Sequence, residues 1–445
     1  MLSRVSAPRR VPVLFTSLAA LAAYTFLLIL RAPQIWQGRF WAEEGTVFFS
    51  AACASGLLES LFLPHLGYGM AVTSFATTLA ARAVPLELAP LVTTVIAAAV
   101  QLLPAVLLLT ARIDALPDLR FRAVALALLL VCLPSEEIWL NSPNSSHFLG
   151  VCGGILLIAT PSAGRTRFLH LGLLVLAGLS GIDANLLAPF FWLRAYRERT
   201  RERVEQATAL TVCAAIQAFV VAIAPLYGFA SVGLEGARSP RLDLPILAHA
   251  VLAKDILLPF AGRSWTEHVM APLAKMLAAH DPMALVSAIA MVWAGVFGLA
   301  VVKSKLWQPR LSFCLGLFVV FVSFTASIEA SRPDWHLSHA SALGAGRYYF
   351  LPNFFLGLSL LMIAGNDSAL HRRLRQTALV LVAWMLIVGT NEFFRSDARP
   401  WFFTGPDWQQ QVAAWRRGET NDLKIWPAPW KLGLDGASSL AGCRR

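Results

Sequence analysis

Two adjacent carboxylates, Glu43 and Glu44, lie a few residues beyond the first long apolar segment, in the stretch RFWAEEGTVFF. Charged side chains this close to a membrane span are uncommon and usually serve a function. A plainer interpretation is that both residues cap the helix predicted to begin at Gly45, because acidic groups favour a helix N-terminus. The sequence leaves both interpretations open, and the two are compatible.

A second polar stretch, LPSEEIWLNSPNSSHF, places Glu137, Asn141, Asn144 and His147 between two apolar segments. Polar groups near membrane depth must find partners or water, so this stretch predicts a polar pocket. The alternative is an ordinary hydrated loop in which Asn and Pro form turns.

Asp183 lies in a shorter polar turn, residues 181–185, which precedes the apolar run 184–193. That run is short for a membrane span, and its Gly, Asn and Pro residues are typical of a broken helical hairpin. We therefore expect the bend to face a polar cavity.

A third stretch, IEASRPDWHLSHASALGAGRYYF, offers Arg332, Asp334, Arg347 and Tyr348 at the mouth of two predicted spans. Guanidinium groups suit a phosphate because they form charge-assisted bidentate contacts. The alternative is that the arginines anchor to headgroup phosphates. The histidines of this stretch are spaced i, i+3 without a second fixed pair, so no metal site is predicted.

The composition requires a membrane-embedded fold to position these groups. Of 445 residues, 57% are hydrophobic and only 14% are charged, and the mean hydropathy is +0.61. Such a chain lacks the polar residues to cover a water-soluble globule, so it is an all-α polytopic membrane protein. The net charge of +11 suits anionic membrane lipids or phosphorylated substrates, and nucleic acid is not an expected partner. The spacing of the six cysteines indicates neither a disulfide framework nor a metal site.

The hydropathy pattern predicts about eleven transmembrane helices. Placing the N-terminus in the cytoplasm makes every short inner loop basic, as the positive-inside rule requires, and leaves the C-terminus outside. Residues 70–84 are amphipathic and are interpreted as a membrane-parallel helix, since counting them as a span would invert the loop charges. The predicted spans are residues 11–30, 88–111, 121–134, 146–160, 168–180, 184–193, 206–227, 283–302, 310–328, 346–364 and 376–393.

This topology divides the chain into an N-terminal module of about seven spans, residues 1–228, and C-terminal transmembrane helices, residues 283–394. The first outer loop covers residues 32–87, and a second outer loop covers 229–282. The outer tail, residues 395–445, contains five tryptophans. Tryptophans in such a tail indicate either a small lid or anchoring at the membrane interface.

Five motifs in order, RFWAEEGTVFF, PHLGYG, LPSEEIWLNSPNSSHF, GLSGIDANLLAPFF and GRYYFLPNF, resemble those of bacterial multispan proteins similar to the C-type (GT-C) membrane glycosyltransferases. The resemblance covers most of residues 1–365. It implies a GT-C-like fold with membrane-parallel helices in the first outer loop. It also implies a polyprenyl-phosphate sugar as donor and an acidic base in that loop, a role that falls on Glu44 or its neighbour Glu43.

The sequence and the resemblance together predict a glycosyltransferase of the plasma (inner) membrane that moves a sugar to a lipid- or glycan-linked acceptor on the outer face. No cofactor is expected, and a divalent metal is not indicated.

A flippase or transporter for lipid-linked glycans remains an alternative, although it would be expected to carry an inverted repeat and polar groups opening to both sides. A non-catalytic membrane scaffold is the other alternative. In the enzyme hypothesis, Glu44 takes the proton of the acceptor hydroxyl as the base, and Arg332 and Arg347 stabilise the leaving phosphate. The candidate substrate-binding residues are Glu137, Asn141, Asn144, His147, Asp183, Arg332, Asp334, Arg347 and Tyr348.

The predicted topology can be tested with reporter fusions at Arg201 and Trp408. The loop-charge asymmetry places these two positions in opposite compartments, so a reporter active only in the cytoplasm should respond at Arg201 and stay silent at Trp408. Activity at both positions would overturn the span count.

Overall fold

The computed structural model describes the chain as a mostly helical membrane protein. Among the described residues, five helices are long and apolar enough to cross a membrane: Ala89–Thr110, Arg201–Ile223, Trp307–Ala326, Arg347–Ala364 and Arg372–Phe394. Each of these helices coincides with a predicted span. The total of eleven spans stays a prediction, because the predicted span 283–302 lies largely outside the described residues. The described ranges are 10–31, 38–65, 68–116, 118–134, 137–223, 242–278, 289–290, 292–293, 295, 298, 306–326, 344, 346–365, 372–395 and 405–433.

The helices are numbered here in chain order, and two short antiparallel hairpins accompany them. Strand β1 is Pro64–His65, β2 is Tyr68–Gly69, β3 is Asp422–Lys424 and β4 is Lys431–Gly433. The helices are α1 (Arg10–Arg31), α2 (a π-helical turn Glu44–Phe49 continued by Ser50–Ala54), α3 (Leu57–Leu61), α4 (Ala71–Ala83), α5 (Ala89–Thr110), α6 (Leu119–Val131), α7 (Ser145–Ile158), α8 (Arg165–Leu179), α9 (Ala188–Glu198), α10 (Arg201–Ile223), α11 (Leu244–Ala250, continued by a π-helical segment Val251–Leu257), α12 (Leu258–Ala278), α13 (Trp307–Ala326), α14 (Arg347–Ala364), α15 (Arg372–Phe394) and α16 (Trp408–Arg416).

Helix α14 forms the centre of the bundle. From Tyr349 to Ala364 every residue is buried, because α14 is apolar on all sides and packs against α6, α7, α13 and α15. Close packing depends on glycines at the crossings. A Cβ on Gly154 would lie 1.9 Å from the ring of Phe355, and a Cβ on Gly389 would lie 2.4 Å from the carbonyl oxygen of Val131. A larger residue at Gly389 would therefore push two helix backbones apart, and one at Gly154 would displace the Phe355 ring.

One end of the bundle, where α7 and α9 end and α8 and α10 begin, is closed by arginine contacts. The fully buried Arg203 donates to the carbonyl oxygens of Leu156 and Ala159 and pairs with Glu198 at 2.9 Å. Arg167 pairs with Glu205 beside it. This basic end gathers loops that the charge pattern assigns to the cytoplasmic side.

The first loop and the C-terminal tail form the opposite end. Trp408 and Trp426 are buried, and the ring of Trp408 packs edge-on against Phe40 with 5.6 Å between centroids. The Trp408 indole N–H donates to the carbonyl oxygen of Leu86 at 3.0 Å. Interfacial anchoring is therefore wrong for these two tryptophans, because they form the core between tail and first loop. Trp401 lies outside the described residues.

Cys53 in the first loop is disulfide-bonded, which the cysteine spacing did not indicate. Disulfides persist in oxidising compartments and are rare in the cytosol. The disulfide therefore agrees with the outward orientation predicted for this loop.

Helix α4 lies within residues 70–84, predicted as a membrane-parallel helix. Its polar residues Thr73, Ser74 and Thr77 are buried, whereas Phe75 and Leu79 are exposed. The face with the hydroxyl side chains thus packs against the protein together with Val72, while Phe75, Leu79 and the basic Arg82 are exposed.

Replacing Trp408 by Ala should release the tail from the first loop, because removal of a buried tryptophan costs about 3–5 kcal/mol. Limited proteolysis should then cleave residues 405–433 much faster than in the native protein. Trp430→Ala is the matched control, since Trp430 is partly exposed and its loss should leave the tail protected. Equal protection of the Trp408→Ala tail would contradict this docking.

Candidate functional site

A polar cavity lies at the end of the bundle that carries the first loop. Loops and helix starts from distant parts of the chain enclose it: the start of α2, the β1–β2 hairpin, the start of α7, the bend between α8 and α9, and the facing ends of α13 and α14. Its volume is about 100 Å³. Its lining consists of Trp41, Glu43, His65, Tyr68, Met70, Pro143, Asn144, Ser146, His147, Ile182, Asp183, Leu186, Val322, Ser323, Arg347 and Tyr348.

The two acidic residues of the first loop have different environments. Glu43 is half-buried and lines the cavity. Glu44 is 2% exposed and is not a lining residue. Adjacent helical residues point about 100° apart, so only one of them faces a given cavity. The turn that precedes them passes through Ala42 at φ 33°, a conformation that residues other than glycine rarely adopt.

The Glu44 carboxylate binds the second polar stretch. One of its oxygens accepts from the backbone N–H of Ser142 at 3.0 Å and from the Ser142 hydroxyl at 2.5 Å. The other oxygen accepts from the backbone N–H of Trp41 at 3.1 Å. Burial raises the pKa of the Glu44 carboxyl, and the hydrogen bonds from Ser142, Trp41 and Thr93 oppose that rise without cancelling it. Glu44 thus joins the first loop to the loop before α7.

That loop enters the bundle deeply. Gln101, midway along α5, donates to the carbonyl oxygen of Ile138 and accepts from the N–H of Leu140, both at 3.0 Å. Asn141 is buried, and its amide donates to the carbonyl oxygen of Glu137 at 2.7 Å. The polar groups of this stretch largely satisfy one another and the backbone, as buried polar groups must. Asn141 therefore shapes the loop and does not line the cavity.

His147 and Asp183 form a close pair across the cavity wall, with Nδ1 of His147 2.8 Å from a carboxylate oxygen of Asp183. Burial raises the pKa of Asp183, but the nearby His147 and hydrogen bonds from His147 and Ser146 outweigh it and hold the pKa below its usual value. Gly181, at φ 130°, shapes the bend, and a Cβ there would lie 2.7 Å from Ser146. The predicted broken hairpin thus presents Asp183 to a polar cavity.

Arg347 at the start of α14 supplies the cavity with a cation. Its guanidinium is 3.2 Å from a carboxylate oxygen of Glu137 and lies over the ring of Tyr348 at 5.0 Å. The Tyr348 ring is also edge-on to the ring of His147, with centroids 6.4 Å apart. The Arg347 side chain is 28% exposed, so charge-assisted contact with an anion is open to it.

The structure brings most of the candidates together. Glu43, Asn144, His147, Asp183, Arg347 and Tyr348 line the cavity, and Glu137 borders it through Arg347. Arg332 and Asp334 lie outside the described residues. The lining residues that sequence reasoning did not select include His65 and Tyr68. Both belong to the PHLGYG motif, so the motif marked the segment without identifying these side chains.

Among the described residues, no group of three or more histidine, cysteine or acidic side chains is arranged to hold a metal ion. Comparison of the chain with protein-family models, with curated proteins and with solved structures found no match. The function must therefore be argued from the site itself.

Replacing Glu44 by Ala should destabilise the protein by roughly 1–3 kcal/mol, because the N–H groups of Trp41 and Ser142 would lose their acceptor while buried. A carboxyl whose pKa is raised by folding stabilises most below its unfolded pKa, and this contribution is lost as pH rises through the folded pKa. The stability difference between native protein and variant should therefore narrow as pH rises. Thermal unfolding of detergent-purified protein across pH measures this.

Glu43→Ala is the control, because Glu43 is half-buried and faces the cavity. Its unfolding temperature should stay close to that of the native protein. A larger loss of stability in Glu43→Ala than in Glu44→Ala would contradict the assignment of Glu44 as the connecting residue.

Proposed function

We propose that this protein is a membrane glycosyltransferase that moves a sugar from a polyprenyl-phosphate-linked donor to a hydroxyl of a lipid- or glycan-linked acceptor. The observation that carries the proposal is the joint presence of Glu43 and Arg347 in one polar cavity at the first-loop end of an apolar helical bundle. A carboxylate and a guanidinium are the two groups that this reaction requires. The motif resemblance described above supplies the reaction class.

In the proposed reaction, Glu43 accepts the proton of the acceptor hydroxyl while that oxygen bonds to the anomeric carbon of the donor sugar. The bond between the anomeric carbon and the phosphate oxygen breaks, and the polyprenyl phosphate leaves with the bonding electrons. Arg347 stabilises the negative charge that gathers on this phosphate. Placing the base on Glu43 uses the acidic residue that lines the cavity, while Glu44 holds the loop.

The remaining lining residues have roles that suit a sugar. Asn144 and the His147–Asp183 pair offer donors and acceptors at fixed positions, and sugar hydroxyls are recognised by such groups. Tyr68 and Tyr348 add aromatic surface. In the proposal these side chains orient donor and acceptor.

The cavity volume of about 100 Å³ is below the roughly 300–1,000 Å³ of typical ligand pockets. Substrate binding therefore requires an opening movement. The Arg347–Glu137 ion pair, at 3.2 Å, is the contact we expect to break, because a substrate phosphate can accept two parallel hydrogen bonds from the Arg347 guanidinium.

The site is proposed to face the outside of the plasma membrane. The disulfide at Cys53 favours an oxidising compartment for the first loop, and the arginine-closed end lies opposite.

Replacing Glu43 by Gln should lower the transfer rate by a factor on the order of a hundred or more, since the amide keeps the size of the side chain but cannot accept the proton. The measurement is transfer from radiolabelled polyprenyl-phosphate sugars in membranes with matched protein levels. Glu59→Gln is the control, because Glu59 is an exposed acid of the same loop that does not line the cavity.

Glu44→Gln distinguishes the two acidic positions in the same assay. Loss of transfer in Glu44→Gln with full transfer in Glu43→Gln would move the base to Glu44. Full transfer in both variants would remove the acidic pair from the chemistry and with it the main support for an enzyme.

A further inference from the structure

A second cavity, of about 380 Å³, lies between α11 with its π-helical continuation and helices α13 and α14. Apolar side chains form most of its wall, among them Leu247, Val251, Phe313, Val320 and Leu356. None of its lining residues lines the polar cavity. It is a separate site with a different chemistry, and its volume falls in the range of small-molecule pockets.

The mouth of this cavity opens beside a helix that is apolar and long enough to cross the membrane. Leu317, near the middle of α13, is 42% exposed, and Leu244 on α11 is 64% exposed at the other rim. A mouth at mid-span meets hydrocarbon and not water. The cavity is therefore placed to receive a hydrocarbon chain from the lipid phase.

The floor of the cavity carries polar atoms without partners. Asp255 is 4% exposed, and neither of its carboxyl oxygens has a hydrogen-bond partner among the described residues. The amide of Asn353 donates to the carbonyl oxygens of Leu133 and Lys254 at 2.9 and 2.7 Å. These two bonds fix the amide orientation, so its oxygen is an acceptor, and it too has no partner in the described part of the chain.

A carboxyl buried without partners is held neutral, so Asp255 offers one acceptor oxygen and one hydroxyl group, and the Asn353 oxygen is a second acceptor. These groups are costly in an apolar cavity unless a ligand meets them. A phosphate would bring net negative charge into these apolar surroundings, which disfavours a lipid phosphate at this point. A hydroxyl brings a donor without bringing a net charge into the apolar surroundings. The ligand must therefore combine a long apolar chain with an uncharged hydroxyl group.

We propose that this cavity is a lipid-binding site for a hydrocarbon chain that bears a hydroxyl group, with Asp255 and Asn353 accepting its hydrogen bond. The site is independent of the proposed transferase function, because it uses none of the residues of the polar cavity. The two ideas can therefore fail separately.

The test uses the full-length protein in detergent and a long-chain primary alcohol with a photoreactive diazirine in its chain. Illumination should label peptides that contain lining residues, which fall within 242–258, 289–293, 306–326 and 346–365, and the unlabelled alcohol should compete. The alkane of equal length and the corresponding alkyl phosphate serve as comparison competitors. The alcohol should compete best, since only it meets both the apolar wall and the orphaned acceptors.

Asp255→Leu should weaken alcohol binding by about tenfold, the equivalent of one hydrogen bond, and leave alkane binding unchanged. Its folding should be unharmed, since the change removes an unpartnered buried polar group. Asp255→Asn keeps a hydrogen-bonding group and should stay within about threefold of the native protein. Asp114→Leu is the matched control at the opposite end of the bundle, and it should bind as the native protein does.

The proposal is overturned if the label falls outside these expected peptide regions, or if Asp255→Leu binds the alcohol as tightly as the native protein. It is equally overturned if the alkyl phosphate competes better than the alcohol. None of these readouts involves sugar transfer. A failed transfer assay with successful labelling would remove the enzyme proposal and keep this site.

Discussion

The architecture of the candidate site depends on one buried carboxylate. Glu44 accepts hydrogen bonds from Trp41 in its own loop and from Ser142 in a loop about a hundred residues later. A buried carboxylate is tolerated only when such donors surround it. The loop that holds Ser142 is therefore held against the first loop, and this contact places Glu43 beside Asn144 and His147 at one cavity wall.

The polar cavity balances its charges across elements that are distant in sequence. Arg347 from α14 pairs with Glu137, and His147 from α7 pairs with Asp183 from the bend after α8. Each pair lowers the cost of burying its two polar groups close to an apolar bundle. The tail covers the first loop on its far side through Trp408 and Trp426. Together these contacts hold the cavity-forming loops without requiring long regular helices.

The second cavity combines an apolar wall with polar atoms that lack partners among the described residues. Its apolar wall comes from helices whose outward faces would in any case meet lipid, while Asp255 and Asn353 remain unsatisfied at its floor. Unpaired acceptors of this kind are rare in folded proteins unless a ligand supplies the donor. The chain thus separates its polar and its lipophilic recognition into two neighbouring regions that share α13 and α14.

Sequence by itself determined the class of this protein and most of the segments that build its site. Hydropathy places the long helices, because burial in lipid demands unbroken apolar runs. The polar stretches around Glu43, Asn144, Asp183 and Arg347 can also be recognised from the sequence, because polar groups are rare beside apolar membrane spans. The tryptophans of the tail can be read from the sequence too. Residue type alone does not show whether they lie at a membrane interface or in a protein core.

Only the tertiary structure shows which of two neighbouring polar residues lines the cavity. Glu43 and Glu44 are identical in type and adjacent in sequence, so no local pattern distinguishes the cavity residue from the connecting one. The distinction arises because Ser142 reaches Glu44 from across the fold. Likewise Asn141 and Asn144 both donate their side-chain amides to the carbonyl oxygen of Glu137, yet only Asn144 lines the cavity. Asp255 and Asn353 come to line one cavity only when α11 packs against α14. Contacts between distant segments are set by packing and hydrogen-bond geometry, which a single sequence does not encode in any local pattern.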